Sequence, residues 1–319
     1  MRTAVITGGS GFLGRAHHRV LAAQGYETVS FDPRPSPDGI QYYPGSILDL
    51  ANVEAAVDGA DVVFHFAGLL GTSELLSQSP EAVDVNVKGT ANVMEACRRR
   101  GVRTVFYPTK PNDWLNTYSI TKKAGEEFAR LYASQFGMDV RILRWLNAYG
   151  PGQKAYPVRK AVPLMILQGL HDLDIEIWGT GEQTVDLIYT ADLARNTVLY
   201  TLNNNGDATV RDTGNTLRMT VNELASLIHD MTGSQAGLRH LPMRAGEDLG
   251  KPVRLLPGKT AADLLGVADT TTPIELGMAA TITYYRDLPI EDRLKALQFY
   301  GAIPEGSISA APAALSVAS

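Results

Sequence analysis

The chain has 319 residues, 45% of them hydrophobic and 20% charged, with a formal net charge of -5 and a pI near 5.7. That is enough to bury one large core or two modest ones, and it offers no global positive field to draw nucleic acid or an anionic membrane. The apolar run near Met1 is shorter than a signal-peptide core and no segment has the length of a membrane span, so a cytoplasmic location is expected; the single cysteine, Cys97, excludes an internal disulfide, and no metal-ligand spacing is seen.

Thr3 to Thr7 (TAVIT) is a β-branched run of the kind that forms a buried parallel strand. It leads into GGSGFLGRAHHRVLAAQG, so strand, glycine loop and helix follow one another. Gly8, Gly11 and Gly14 form GxxGxxG: the first permits a tight turn, the second lets backbone approach a phosphate, and the third lets the helix pack closely on the strand. The helix N-terminus at Phe12 and Leu13 then faces the pyrophosphate of a dinucleotide. A second strand, Glu27 to Phe31, ends at Asp32, where an acid takes the adenosine ribose hydroxyls and favours NAD over NADP. Arg15 and Arg34 are close enough in sequence to serve a 2′-phosphate, although Arg34 reads better as a solvated loop charge.

Ile40 to Pro44, a helix from GSILD to about Val57, and Asp61 to Phe66 continue the alternation, which predicts an α/β fold with a Rossmann-type doubly wound parallel sheet. Ala67 and Gly68 close that last strand with small side chains suited to a flat ligand, and His65 reads as a core-packed ring. Pro80 opens a long helix through Asn86 and Cys97 to the arginines before Gly101, which read as a helix end rather than a nucleic-acid patch. The strand Arg103 to Tyr107 leads to PTKPNDWLN.

The next helix, from Tyr118 to about Phe136, sets a phenol and an amine four residues apart, so Tyr118 and Lys122 share a face. An ammonium there favours the phenolate and draws the phenol below its usual ~10, toward working pH. Gly125, Ala129 and Ala133 give that face a close approach to its neighbour, while Ile120, Ala124, Phe128 and Leu131 form a second stripe expected to pack elsewhere. The long helices near 80–100 and 117–136 also suit a homodimer.

After the strand Val140 to Arg144, Gly150-Pro151-Gly152 breaks the chain. The expected division is 1–150 as a dinucleotide domain, with parts of about 180–215 returning to it, and 151–319 as a smaller, mainly substrate-binding α/β domain. Its elements are a helix Val162 to Leu170 and strands Ile175 to Trp178 and Val185 to Tyr189, with a helix from Asp192. A helix Leu217 to Met231 follows, with Thr220 and Glu223 as a capping box. The tail from Pro304 lacks aromatic residues and is expected to be mobile.

Taken in order, GGSGFLG, Asp32, FHFAG, DVNVKGTANVMEA, YSITK and RWLNAYGPG resemble the extended short-chain dehydrogenase/reductase family, its nucleotide-sugar epimerase/dehydratase group in particular. The resemblance implies that Gly8, Gly11, Gly14 and Asp32 bind NAD, that Ile47 flanks the adenine, that Ala67 and Gly68 lie along the dinucleotide, and that Asn86 holds the active-site geometry. It further implies Tyr118 as the acid/base and Lys122 as the bridge to the nicotinamide ribose. Asn147 would touch the sugar nucleotide and Arg244 its diphosphate.

The chain departs from the family in three places. A Ser/Thr pair follows the fifth strand in the family and its second member bonds the substrate hydroxyl; here the pair is Thr109 and Lys110, so either Thr109 takes that role or a lysine stands at the substrate. The segment from Thr109 to Tyr118 is short and lacks the Asp-Glu pair of 4,6-dehydratases, which argues against dehydration. Val185 stands where a diphosphate-binding arginine is expected, with Arg159, Lys160 or Lys251 as replacements. The implied activity is NAD-dependent epimerisation of a nucleotide-activated sugar through a transient keto intermediate. The alternatives are a nucleotide-sugar oxidoreductase or decarboxylase and a non-catalytic NAD-binding regulator.

Overall fold

A computed structural model describes residues 2–36, 38–110, 114–144, 147–203, 206–213, 218–247 and 271–304. The first half alternates β1 (Arg2–Thr7), α1 (Phe12–Ala23), β2 (Tyr26–Asp32), β3 (Tyr42–Pro44), α2 (Leu50–Val57), β4 (Val62–His65), α3 (Ser79–Val83), α4 (Gly89–Arg100), β5 (Thr104–Thr109), α5 (Thr117–Phe136) and β6 (Asp139–Arg144). Then come β7 (Asn147–Tyr149), α6 (Ala161–Leu170), β8 (Ile175–Trp178), β9 (Thr184–Tyr189), α7 (Thr190–Asn203), β10 (Val210–Asp212), β11 (Arg218–Thr220), α8 (Val221–Thr232) and β12 (Leu238–Leu241). Two further helices, α9 (Ile274–Asp287) and α10 (Ile290–Tyr300), were not foreseen from the sequence.

The central sheet has seven strands in the order β10-β6-β5-β4-β1-β2-β3, paired in parallel. Alternation along β1 and β4 sends Ala4, Ile6, Val62 and Phe64 to one face, where they pack with Leu21 of α1 and Leu193 and Val198 of α7. It sends Val5 and Val63 to the other, against Val53 of α2, Val93 and Cys97 of α4 and Ala129 of α5. Because both faces are covered, the strands are apolar almost throughout rather than alternating. The order of strands reverses between β1 and β4, so the loops after these two strands open the crevice in which this architecture holds ligands.

Two local features set the site. The helix expected from Pro80 to Gly101 is interrupted: α3 and α4 are joined by a π turn over Asp84–Lys88, a form that concentrates at functional positions, and it carries Asn86. Helix α5 starts on Asn116, whose side chain accepts from the Ser119 N–H, and stops at left-handed Gly137. Its buried face is Ser119, Thr121, Gly125, Glu126 and Ala129, laid so close that a Cβ on Gly125 would collide with the Tyr107 hydroxyl. The stripe expected to pack elsewhere is instead turned outward, with Ile120 57% and Leu131 46% exposed. The small residues decide which side of α5 meets the sheet, and the larger ones face away.

The chain forms two compact units, Met1–Ala148 with Val185–Arg218 and Ala245–Thr271, and Tyr149–Thr184 with Met219–Arg244 and Thr272–Ser319. In the second, α6 packs with α8, α9 and α10, and β12 pairs in parallel with β8. The Thr220–Glu223 capping box at the head of α8 is formed, with the helix starting later than Leu217 because 218–220 is a strand. Lys251 and the tail beyond Pro304 lie outside the described residues.

Candidate active site

The loop after β1 is shaped by its glycines. Gly8 has φ +71°, and a Cβ there would lie 2.7 Å from the Ala67 nitrogen. A Cβ on Gly14 would lie 2.5 Å from both the Gly8 carbonyl oxygen and the Gly9 Cα, so this residue is what lets α1 close on the loop. Gly11 is the N-cap of α1, and the first-turn N–H groups of Phe12 and Leu13 have no acceptor within the helix itself. Gly9, missed by the sequence reading, is as tightly held, since a Cβ would meet Ser30 Oγ at 2.6 Å. A tight cradle of N–H groups at a helix N-terminus fits a pyrophosphate.

Asp32 ends β2 and is 4% exposed, its Oδ1 accepting from the Arg34 N–H at 3.0 Å. Arg34 places Nε 3.8 Å from the same oxygen, while Arg15 is held in a bidentate pair by Asp38 at 2.6 and 2.7 Å. Ala67 donates its N–H to Thr7 Oγ1 at 3.3 Å, and a Cβ on Gly68 would approach Asn86 Oδ1 to 3.1 Å. Ile47 is 6% exposed and packs on Gly89 at the start of α4, with its carbonyl accepting from Asn92 Nδ2 at 2.9 Å. These residues gather in the first unit, around the point where the strand order reverses.

On α5, Lys122 sits with Nζ 4.1 Å from the centre of the Tyr107 ring. Burial pushes its amine down to about 7, with Glu126 opposing the shift and Lys110 adding to it. Burial also pushes the Tyr118 phenol up, which corrects the expectation that the neighbouring ammonium would draw it down. The desolvation of an incipient phenolate outweighs a lysine whose own charge is destabilised in the same place.

The Ser/Thr position is resolved in an unexpected way. Thr109 is the last residue of β5, and its hydroxyl donates to Glu126 Oε2 at 2.8 Å, so it is directed to that carboxylate and not to Tyr118. Glu126 is 3% exposed and takes Lys123 Nζ on its other oxygen at 2.7 Å. Lys110 Nζ, in contrast, donates to Ser119 Oγ at 2.7 Å and lies 5.0 Å from the centre of the Tyr118 ring.

A chain of hydrogen bonds supports both halves of the site. Thr90 Oγ1 donates to the Asn86 carbonyl at 2.7 Å, so it accepts from His65 Nε2 at 3.0 Å. His65 Nδ1 then accepts from Thr7 Oγ1 at 2.6 Å, which fixes the tautomer. Asn86 bonds the Leu69 N–H at 2.7 Å and its carbonyl at 3.0 Å, and donates to Thr121 Oγ1 at 3.0 Å, one turn along from Tyr118. His65 is therefore a neutral linker, its pKa lowered by burial to about 3. The sequence marks Thr7, Thr90 and Thr121 only as β-branched or helical residues, and nothing in their spacing reveals the chain.

The remaining expected residues are placed as follows. Asn147 is exposed on β7. Arg244 belongs to the second unit, with its guanidinium carbon 5.7 Å from the centre of the Trp178 ring. Val185 is in β9, next to Asp186, whose carboxyl is raised by burial to about 7. Arg159 stacks on Phe299 at 4.9 Å, and the Lys160 N–H donates to the Tyr300 hydroxyl at 2.7 Å.

Residues 4–210 match the sequence profile described as NAD dependent epimerase/dehydratase family. A UDP-N-acetyl-alpha-D-glucosaminuronate decarboxylase from Bacillus cytotoxicus is 27% identical over 270 residues, which are 76% of this chain and 84% of that protein. A dTDP-4-dehydro-6-deoxy-D-allose reductase from Streptomyces sp is 27% identical over 321 aligned residues, covering 89% of this chain and 96% of the other. The crystal structure of a UDP-glucose 4-epimerase from Thermotoga maritima superposes with a TM-score of 0.81 at 23% identity, covering 89% of this chain and 98% of that one, a likeness of fold.

Proposed function

Because the chain belongs to the NAD dependent epimerase/dehydratase family, we propose that it epimerises a nucleotide-activated sugar through a transient keto intermediate. The observation that carries this reading is the Tyr118–Lys122 pair on one face of α5, in the same unit as the glycine cradle. NAD, when bound, accepts a hydride from a ring carbinol carbon and returns it to the other face of the ketone. Tyr118 takes the carbinol proton and later gives one back to the ketone oxygen. Lys122, with a pKa near neutrality, supplies the positive charge that offsets the burial of the phenolate and bonds the nicotinamide ribose.

Gly8, Gly11, Gly14 and the N–H groups of Phe12 and Leu13 hold the pyrophosphate, Asp32 the adenosine ribose, and Ile47, Ala67 and Gly68 line the dinucleotide. Asn147 and Arg244 bind the sugar nucleotide, and the second unit sets its identity. The outward stripe of α5, with the exposed Ile120 and Leu131, supports pairing with a second copy of the chain.

The test is to supply UDP- and dTDP-linked hexoses to purified protein with no added cofactor and to follow the epimers by NMR. Copurified NAD is confirmed by mass. Interconversion with NAD returned unchanged is the expected result, and its absence with every sugar on NAD-loaded protein would sink the reading. A second reading, net reduction or decarboxylation of a related sugar, is favoured by the names of the two relatives above. It would show as stoichiometric NADH turnover or as carbon dioxide release.

A further inference from the structure

The Thr109 hydroxyl is committed to a buried carboxylate, Glu126, to which the reading above gives no task. Tyr107 and Thr109 are two residues apart on β5 and so share one face of the strand. Lys122 and Glu126 are four apart on α5 and share one face of the helix, with Cβ atoms roughly 5–6 Å apart. The two pairs meet. Lys122 Nζ lies 4.1 Å from the centre of the Tyr107 ring, whose hydroxyl donates to the Lys122 carbonyl at 3.2 Å, and Thr109 Oγ1 donates to Glu126 Oε2 at 2.8 Å. Helix side chains lean toward the N-terminus, so Glu126 extends over the turn that carries Lys122.

We propose that Glu126 is a positioning residue that acts through Lys122: held by Thr109, its carboxylate is the counter-charge of the Lys122 ammonium. This rests on the epimerase reading only for what that ammonium does in turnover. A carboxylate 3% exposed is poorly screened by water, so its field reaches a neighbour one turn away. Lys123 takes the other oxygen at 2.7 Å, but its own side chain is 59% exposed and its charge is screened by solvent.

The titratable groups facing Lys122 are Tyr118 and Glu126 on α5, Tyr107 on β5, Lys110 after it and His65 on β4. Burial keeps both phenols and the His65 ring neutral at working pH. Lys110 is a cation and disfavours a second one, so among the described residues of this cluster Glu126 is the one negative charge, and it opposes the effect of burial on the amine. On the other elements against α5, Glu81, Asp84 and Lys88 are exposed and Glu74 lies against Gly71. Glu95 is bonded by Arg98, Arg99 and Tyr132, and Asp139 and Arg144 are paired with Arg141 and Asp212.

The experiment follows the Lys122 amine by NMR in NAD-loaded protein with isotope-labelled lysine, its resonance assigned by its loss in Lys122→Arg. Glu126→Gln, which keeps the shape and removes the charge, is expected to lower the midpoint by about one pH unit or more. Thr109→Val should lower it by less, since the carboxylate remains but is no longer fixed. Lys123→Gln should not lower it. With a turned-over sugar, the alkaline fall of kcat as Lys122 loses its proton should move to lower pH in Glu126→Gln by the same interval. A purely structural role would lower kcat at every pH and leave that limb in place.

A midpoint in folded Glu126→Gln within about 0.3 pH unit of the parent, or an alkaline limb that does not move, would overturn the proposal. If Glu126→Gln fails to fold, Thr109→Val decides, and a midpoint equal to that of the parent overturns it. If no sugar turns over with the parent protein, the epimerase reading fails while the amine titration still decides whether Glu126 sets the charge of Lys122.

Discussion

His65 Nε2 donates to Thr90 Oγ1 across 3.0 Å, and this bond joins β4, the neighbour of the strand that leads into the glycine loop, to α4, which packs on the helix of Tyr118 and Lys122. On one side the chain continues through Thr7 to the Ala67 N–H, and on the other through the Asn86 carbonyl. Replacing the ring with an aliphatic group leaves two buried hydroxyls without this partner. His65→Leu is therefore expected to lose roughly 1–3 kcal/mol of stability, measured by urea unfolding. Because the linker holds the cofactor loop, NAD affinity should fall as well, which a fluorescence titration would show; unchanged affinity would mean that the chain is structural only.

Asn86 is the next link, and it makes three bonds with one amide. Asn86→Ala leaves the Leu69 N–H and carbonyl and the Thr121 hydroxyl without it, at the π turn where the backbone already departs from α-helical bonding. The expected loss is again roughly 1–3 kcal/mol. A drop in kcat exceeding any change in NAD affinity, read by steady-state kinetics, would separate positioning of Tyr118 from loss of the cofactor.

The glycines make unequal predictions. A Cβ on Gly14 meets backbone atoms of Gly8 and Gly9 at 2.5 Å, whereas one on Gly11 meets only the Gly8 carbonyl oxygen, at 3.1 Å. Backbone cannot swing away as a side chain can. Gly14→Ala should weaken NAD binding more than about tenfold, equivalent to ~1.4 kcal/mol, and Gly11→Ala by less. Isothermal titration with NAD orders the two; the reverse order would contradict the packing role given to Gly14.

The sheet was readable because its evidence is local: TAVIT, the glycine loop and Asp32 each carry their own chemistry within a few residues. That Tyr118 and Lys122 lie on one helix was readable for the same reason, since a helix fixes what four residues of spacing means. The identity of the residue beside Tyr118 was not, because it depends on which of Thr109 and Lys110 the end of β5 directs to Glu126, 17 positions beyond Thr109. The direction of the phenol's shift was missed because spacing shows the lysine and not the burial. Helices α9 and α10 follow Pro273 and Pro289, and the second ends at left-handed Gly301, so start and stop signals were present without a function to draw attention to them.

The adenosine-ribose role proposed for Asp32 makes a prediction about cofactor choice. Its carboxylate stands at the end of β2 with Arg34 nearby, and Arg15 is neutralised by Asp38. Removing the carboxylate removes the repulsion that a 2′-phosphate meets and leaves Arg34 to face it. Asp32→Ser is expected to shift the ratio of NAD to NADP affinity by about tenfold or more toward NADP, measured by competitive titration. An unaltered ratio would place the adenosine ribose elsewhere.

Acid should unfold this protein through buried histidines. His17 is fully buried beside Phe66, at 4.3 Å between ring centres, with Nδ1 bonded to the Leu13 carbonyl at 2.7 Å. Burial lowers its pKa to about 3, as it does for His65. In the unfolded chain both return to near the ordinary histidine value of 6.5, so below that pH the unfolded state binds more protons than the folded one. Their contribution is fully present above about 6.5 and is lost as pH falls toward 3. Urea midpoints taken between pH 7 and 4.5 should therefore decline, and His17→Leu should decline less steeply than the parent. Equal slopes would show that His17 acquires its proton without unfolding.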